Sequence, residues 1–381
     1  MFNIGCVAVI GCGPGAKAEV SRPTALEIAA AFAASAVLGP LIGGPLIDSF
    51  GWRSVFLLNI PVGLIGMFMA MEFIKESKLP EGKRYFDWWG AITLGGALSA
   101  LVLVLDQGAS WGWFSLSSLI CYFSCLALFR IFMMIEKRVK EPIVDLNFFK
   151  IPTFVNVLAN NFIVFMGMMG SLFLIPVFAQ TFMGLTATQA GYLFMPMAAA
   201  MLIASPIGGA LMGKVKAKYV IFASTITAAF GIFLFSVFLD PKSTAIDIII
   251  PLCIMAFGLG FGMAQRTNLI ASIVNPHEIG VASSILALAR NIAGAFGIAV
   301  FGTILTNRIN SNVLSINNLS FIHSVNPLDF QKYIGLIELK AQVDAYIYVF
   351  LISSIIVFLG SFTILFLKLK HERTNVKVSV E

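Results

Sequence analysis

Long unbroken runs of apolar residues dominate this chain, and they leave few folds open to it. They fall at about 25–47, 54–74, 88–105, 115–135, 153–179, 187–212, 219–239, 246–270, 280–305 and 345–367. A helix of about 20 such residues crosses the ~30 Å hydrocarbon of a bilayer. Polar breaks separate the runs, at Asp48 to Arg53, Lys75 to Asp87, Asp106 to Gly112, Glu136 to Pro152 and Lys214 to Lys218. In hydrocarbon each backbone donor and acceptor must find a partner within its own segment or in a closed barrel. A barrel would show alternation in runs of about ten residues, which is not the pattern here. The expected fold is an all-α polytopic membrane protein of about ten transmembrane helices. Charge agrees: only 12% of residues are charged, about half of the roughly 25% that clothes a soluble domain. That excludes an ordinary cytosolic enzyme, a secreted disulfide domain and a disordered chain.

The net charge of +6 is spread over short loops. A nucleic-acid partner would call for one basic stripe, so none is expected. The distribution is better read as topology, because Lys and Arg in short loops stay on the cytoplasmic side. One set of loops holds Lys75, Lys78, Lys83 and Arg84, then Lys137, Arg138, Lys140 and Lys150, then Lys214, Lys216 and Lys218. The tail adds Lys368, Lys370, Arg373 and Lys377. The alternate set holds Arg53, Lys242 and, in a long connector from Thr306 to Asp344, Arg308, Lys332 and Lys340. Both termini are expected in the cytoplasm, in a plasma (bacterial inner) membrane. Arg130 and Arg266 fall near lysine-rich helix ends, from which long side chains snorkel to the headgroups.

Five cysteines, Cys6, Cys12, Cys121, Cys125 and Cys253, lie in or beside apolar stretches, far in sequence from His277, His323 and His371. Neither a metal site nor a disulfide framework is expected. Cys121 and Cys125 share a helix face as small packing residues. Residues 7–16, VAVIGCGPGA, match the dinucleotide-binding pattern G-x-G-x-x-[GA] after an apolar run. That mechanism needs a βαβ unit and an acid at the end of its second strand. A membrane span follows instead, and the nearest acid, Glu27, opens that helix. A membrane-associated dinucleotide-binding protein is therefore an alternative reading, and residues 1–21 are an atypical N-terminal segment.

The first run contains Ser35-Ala36-Val37-Leu38-Gly39-Pro40-Leu41-Ile42-Gly43-Gly44. Small residues three and four apart let helix backbones approach closely, and a proline bends a helix by removing a donor. Ser35, Gly39, Pro40, Gly43 and Gly44 resemble the G-x-x-x-G-P-x-x-G-G antiporter motif of the major facilitator superfamily, with Ser35 in place of the first glycine. Residues 51–63, GWRSVFLLNIPVG, resemble the G-W-R-x-x-F-x-[LI]-N-x-P-x-G stretch of its fourteen-helix drug:proton antiporter branch. Ser110-Trp111-Gly112-Trp113, Glu141-Pro142-Ile143-Val144-Asp145-Leu146, Gln189-Ala190-Gly191 with Met195-Pro196, and the segment from Gly280 to Gly297 are similar to that branch in order and spacing.

The resemblance covers about residues 22–370 and implies a division of the chain. Residues 22–75 would be the last two helices of the N-terminal half. Residues 76–152 would be an extra helix pair with cytoplasmic linkers, 153–367 a C-terminal six-helix half, and 368–381 a cytoplasmic tail. By this alignment the chain begins just before the family's fifth helix, an N-terminally truncated fourteen-helix architecture that lacks the usual proton-coupling acid. The family's loop G-x-x-x-D-[RK]-x-G-x-[RK] has its counterpart in Gly209 to Lys218, where Gly213 replaces the acid and Lys216 the glycine.

Polar residues inside the spans are the candidate substrate pathway: Asn156, Asn160, Asn161 and Gln180 in the fifth, Gln265 and Asn268 in the eighth, Arg290 in the ninth. Arg290 lies about ten residues into its span, roughly 15 Å deep, where snorkelling is awkward and a partner or a wet cavity is needed. It is read equally as a charge switch and as a cap on neighbouring carbonyls. Neutral amides orient a substrate without a buried charge, yet each is as readily an interhelical bond. Gly258, Gly260 and Gly262 are expected to loosen the backbone beside Gln265. No nucleophilic triad or paired carboxylates stand in the spans, so catalysis is not expected. The function implied is proton-driven efflux of hydrophobic or amphipathic compounds by alternating access, with no bound cofactor and the proton gradient as driving force. A lipid or siderophore exporter would share the fold, and an inactive or regulatory remnant of a transporter is the alternative from another class. Expected partners are a small hydrophobic substrate and membrane lipid, with room for a periplasmic adaptor and an outer-membrane channel.

Overall fold

The computed structural model describes residues 39, 41–73, 87–139, 144, 146–274, 278–319 and 327–365. The glycine-rich stretch at residues 11–16 and the basic tail lie outside them, as do Ser35 and Pro40 of the antiporter-like motif. The described residues form helices, with no strand among them. In chain order they are α1 (Leu41–Phe50), α2 (Arg53–Phe73), α3 (Trp88–Trp111), α4 (Leu116–Glu136), α5 (Pro152–Phe182), α6 (Ala187–Tyr192), α7 (Met195–Ala210), α8 (Ala217–Phe238), α9 (Ala245–Ile273), α10 (Ile279–Leu319) and α11 (Pro327–Thr363).

Among the described residues, eight segments are long and apolar enough to cross a membrane: Trp88–Gly108, Leu116–Glu136, Pro152–Phe182, Ala187–Ala210, Ala217–Phe238, Ala245–Ile273, Ile279–Asn312 and Glu338–Thr363. They coincide with the third to tenth apolar runs, and the protein is a multi-pass membrane protein. The first run lies mostly outside the described residues.

Local chemistry sets the helix ends. Asp87 starts α3 by accepting from the Gly90 N–H at 2.8 Å, and Ser115 caps α4. Thr186 with Gln189 opens α6, and Thr244 with Asp247 opens α9, each as a reciprocal capping box. Such caps satisfy amides that the first helical turn leaves without partners. Gly213 follows α7 with φ +78°, a left-handed conformation that side chains resist. The acid of the family's loop is thus replaced by a residue suited to a tight turn.

α5 is the most buried span. It packs against α10 and α11; α8 packs against α9 and α11, and α7 against α9. The pair α3 and α4 leans on α10 through α3, where the Thr303 hydroxyl donates to the Leu105 carbonyl at 3.3 Å. Aromatic stacking ties the central helices, with Phe235 and Phe350 at 5.0 Å and Phe178 and Tyr346 at 5.4 Å between ring centroids. Lipid tails are as apolar as these side chains, so close backbone approach has to supply much of the attraction.

Two expectations are corrected. Gly258 and Gly260 do not loosen α9. A Cβ on Gly258 would strike the backbone of Ser224 and Ala228 in α8, and one on Gly260 would come within 3.0 Å of the Met201 carbonyl in α7. Gly262 likewise faces the Ser224 side chain. They are contact faces on both sides of the helix. The connector from Thr306 to Asp344 is not an open loop either. α10 runs on for 41 residues and α11 begins at Pro327, and the two are joined by a bond from the Asn312 amide to the Ala341 carbonyl at 3.1 Å. Polar composition past the bilayer hides a helix that water solvates well.

Candidate functional site

Where α5, α8 and α9 meet, Arg266 is buried, with 1% of its surface exposed. Its Nε donates to Asn160 Oδ1 at 3.1 Å, and its Nη2 donates to Thr225 Oγ1 at 2.9 Å and Ser224 Oγ at 3.3 Å. Asn160 in turn donates from Nδ2 to the Gly360 carbonyl of α11 at 3.0 Å. One arginine and one amide thus bridge four helices. The expectation that Arg266 snorkels outward is wrong. Its azimuth on α9 points inward, toward hydroxyls on α8 that replace hydration more closely than the headgroups would.

Among the described residues, all the acceptors around Arg266 are neutral and its Nη1 has no partner. One residue on, Thr267 Oγ1 accepts from Arg290 Nη2 of α10 at 3.4 Å. The Arg290 guanidinium lies 5.3 Å from the centroid of the Phe165 ring on α5, and its Nε is buried without a partner. Phe165 is one turn from Asn161, whose side-chain oxygen and nitrogen are both buried and both unpartnered. Asn161 and Arg266 are thus buried, Arg290 half-buried and Thr267 exposed, and Asn161, Arg266 and Arg290 each keep hydrogen-bonding capacity to spare among the described residues. At bilayer depth such capacity marks a place for water or a ligand.

The other candidates separate from this group. Gln265 is buried and donates to the Gly208 carbonyl at 3.0 Å, a strap between α9 and α7. Asn156 is half-buried one turn from Asn160, and Gln180 and Asn268 are exposed. Ser224, Thr225 and Arg266 were not among the candidates from the sequence. The adjacent hydroxyls in the otherwise apolar run 219–239 were the signal for them.

A second locus joins α1 to α6 at their lysine-poor ends. Gly44 of the antiporter-like motif is buried so closely that a Cβ there would lie 2.7 Å from Thr188 Cα, whereas Gly43 faces open space. One turn further, Asp48 Oδ2 accepts from the Thr188 N–H at 2.9 Å and from its hydroxyl. The hydroxyl and then the amide of Thr188 hold the Asp48 carboxyl below its ordinary pKa.

A sequence profile described as the Major Facilitator Superfamily matches residues 17–298. The "Multidrug resistance protein Stp" of Mycobacterium tuberculosis is 30% identical over 267 residues, which are 70% of this chain and 49% of that protein. "Multidrug resistance protein 3" of Bacillus subtilis is 27% identical over 373 residues, 92% of this chain and 72% of that one. The "Tetracenomycin C resistance and export protein" of Streptomyces glaucescens is 26% identical over 279 residues, 72% and 51%. The chain thus spans about half the length of several curated relatives that it matches.

Proposed function

This chain belongs to the Major Facilitator Superfamily, and on that footing we propose that it is an efflux transporter of hydrophobic or amphipathic compounds, driven by proton antiport. The observation that carries the proposal is that the buried Asn161 and Arg266 and the half-buried Arg290, all within apolar spans, each keep polar atoms unpartnered among the described residues. A purely structural bundle has no use for such atoms, since each lost hydrogen bond costs about 1–3 kcal/mol. A transporter does, because its cargo and water complete the set in turn.

The relatives named for drug resistance and export support the direction of transport. The lysine-rich loops are assigned to the cytoplasm by the positive-inside rule. Alternating access would separate α1 from α6 at the lysine-poor side, where Asp48 and Thr188 join them. A proton moves such an equilibrium only by binding the two states unequally.

Retention of a lipophilic dye in cells stripped of their own pumps tests the reading. Expression of this chain should lower retention, and collapsing the proton gradient should restore it. Unchanged retention across a panel of dyes and drugs would favour an inactive or regulatory relative of such transporters.

A further inference from the structure

Two cations stand within the C-terminal spans, Arg266 buried and Arg290 half-buried, and among the described residues their contacts contain no anion. Arg266 is satisfied by an amide and two hydroxyls, and Arg290 by one hydroxyl and a ring face. Spans Pro152–Phe182, Ala187–Ala210 and Ala217–Phe238 carry no acid at all. The acids of the remaining C-terminal spans, Asp247, Glu338 and Asp344, stand near the lysine-poor ends of their helices. Arg290 is 11 residues beyond Ile279 on α10, roughly 16 Å from the opposite end. A carboxylate at the far end of a helix does little to offset a charge at that depth.

Resting on the transport reading above, we infer that this interior binds the acidic group of an amphipathic organic anion, an aromatic body bearing one carboxylate or sulfonate. Arg290 Nε, Arg266 Nη1 and the Asn161 amide nitrogen are buried donors without acceptors among the described residues, and an oxyanion head supplies acceptors where a quaternary ammonium head supplies none. The surroundings fit the rest of such a molecule. The Phe165 ring lies under Arg290, and Phe162 of α5 and Phe296 of α10 stand 6.1 Å apart within a turn or two of it. Guanidinium binds an oxyanion through paired N–H groups in a plane, which a lysine ammonium does not reproduce.

A matched pair of probes tests this: 2-naphthoate, and the naphthylmethyl-trimethylammonium cation of the same aromatic body. The purified full chain is held in phosphatidylcholine nanodiscs, and binding is read by equilibrium dialysis against empty nanodiscs. Naphthoate should bind the unaltered protein at least about tenfold more tightly than the cation. Arg290→Gln should weaken naphthoate about tenfold or more without weakening the cation, Arg290→Lys should recover only part, and Asn161→Leu should weaken naphthoate less. Equal or tighter binding of the cation, or no binding of naphthoate, would overturn the inference without recourse to any variant. Naphthoate binding that survives both Arg290→Gln and Asn161→Leu would overturn it too. Naphthoate binding without proton-dependent efflux would sink the transport reading and leave the anion site standing. Efflux of cations alone, indifferent to Arg290, would do the reverse.

Discussion

Arg266 holds its helices together through neutral groups alone, so its worth is measurable. Interhelical hydrogen bonds in membrane proteins average about 0.6 kcal/mol each and reach about 1.7. Arg266→Ala removes three and opens a void, and is expected to lower stability in detergent by about 2–4 kcal/mol, read as a lowered thermal midpoint. Arg266→Met should recover part of that loss, because a packed apolar chain avoids the buried charge. Asn160→Ala and Arg266→Ala together should cost less than their sum, since each removes the other's partner. How deep Arg266 sits was legible from its place in the sequence. Which way it points was not, because direction depends on what α8 offers across the gap. Asn268, two residues on, is exposed for the same reason in reverse.

At the scale of elements, single atoms decide how closely helices meet. A Cβ on Gly297 of α10 would collide with the Met166 carbonyl of α5, and backbone does not yield. Gly297→Ala is expected to destabilise by about 1–3 kcal/mol. Gly209→Ala, with nothing within 4 Å of the new atom, should be neutral or raise stability by up to about 1 kcal/mol; thermal unfolding of both in one detergent checks the contrast. The contact between α1 and α6 is expected to respond to acid. Asp48 is held below its usual 3.8 by Thr188. A depressed carboxyl contributes fully above the unfolded value, and the contribution is lost as pH falls through the lower folded one. Spin labels at Ser49 and Gln189 should therefore report a narrow separation at neutral pH that broadens below about pH 4. Asp48→Asn should broaden it at every pH. The spans themselves were legible because hydrocarbon enforces apolar length. The continuation of α10 past its span was not, because a helix in water needs no apolar signature beyond its packed stripe.

At the scale of the molecule, α10 differs from several of the other helices. α2, α5, α7 and α9 carry Pro61, Pro176, Pro206 and Pro251 within them, each a place where a helix bends. α10 has no proline along its 41 residues, which extend roughly 60 Å, about twice the hydrocarbon thickness. Arg290 and the exposed Ser311 lie on this one rod, 21 residues or roughly 30 Å apart. If Arg290 takes up a guest as proposed, a small tilt there would be carried to the far end as a larger sweep through water. On that proposal, events inside the bilayer would have a needle outside it, and a reporter fixed at Ser311 would turn with that needle while touching nothing the guest touches.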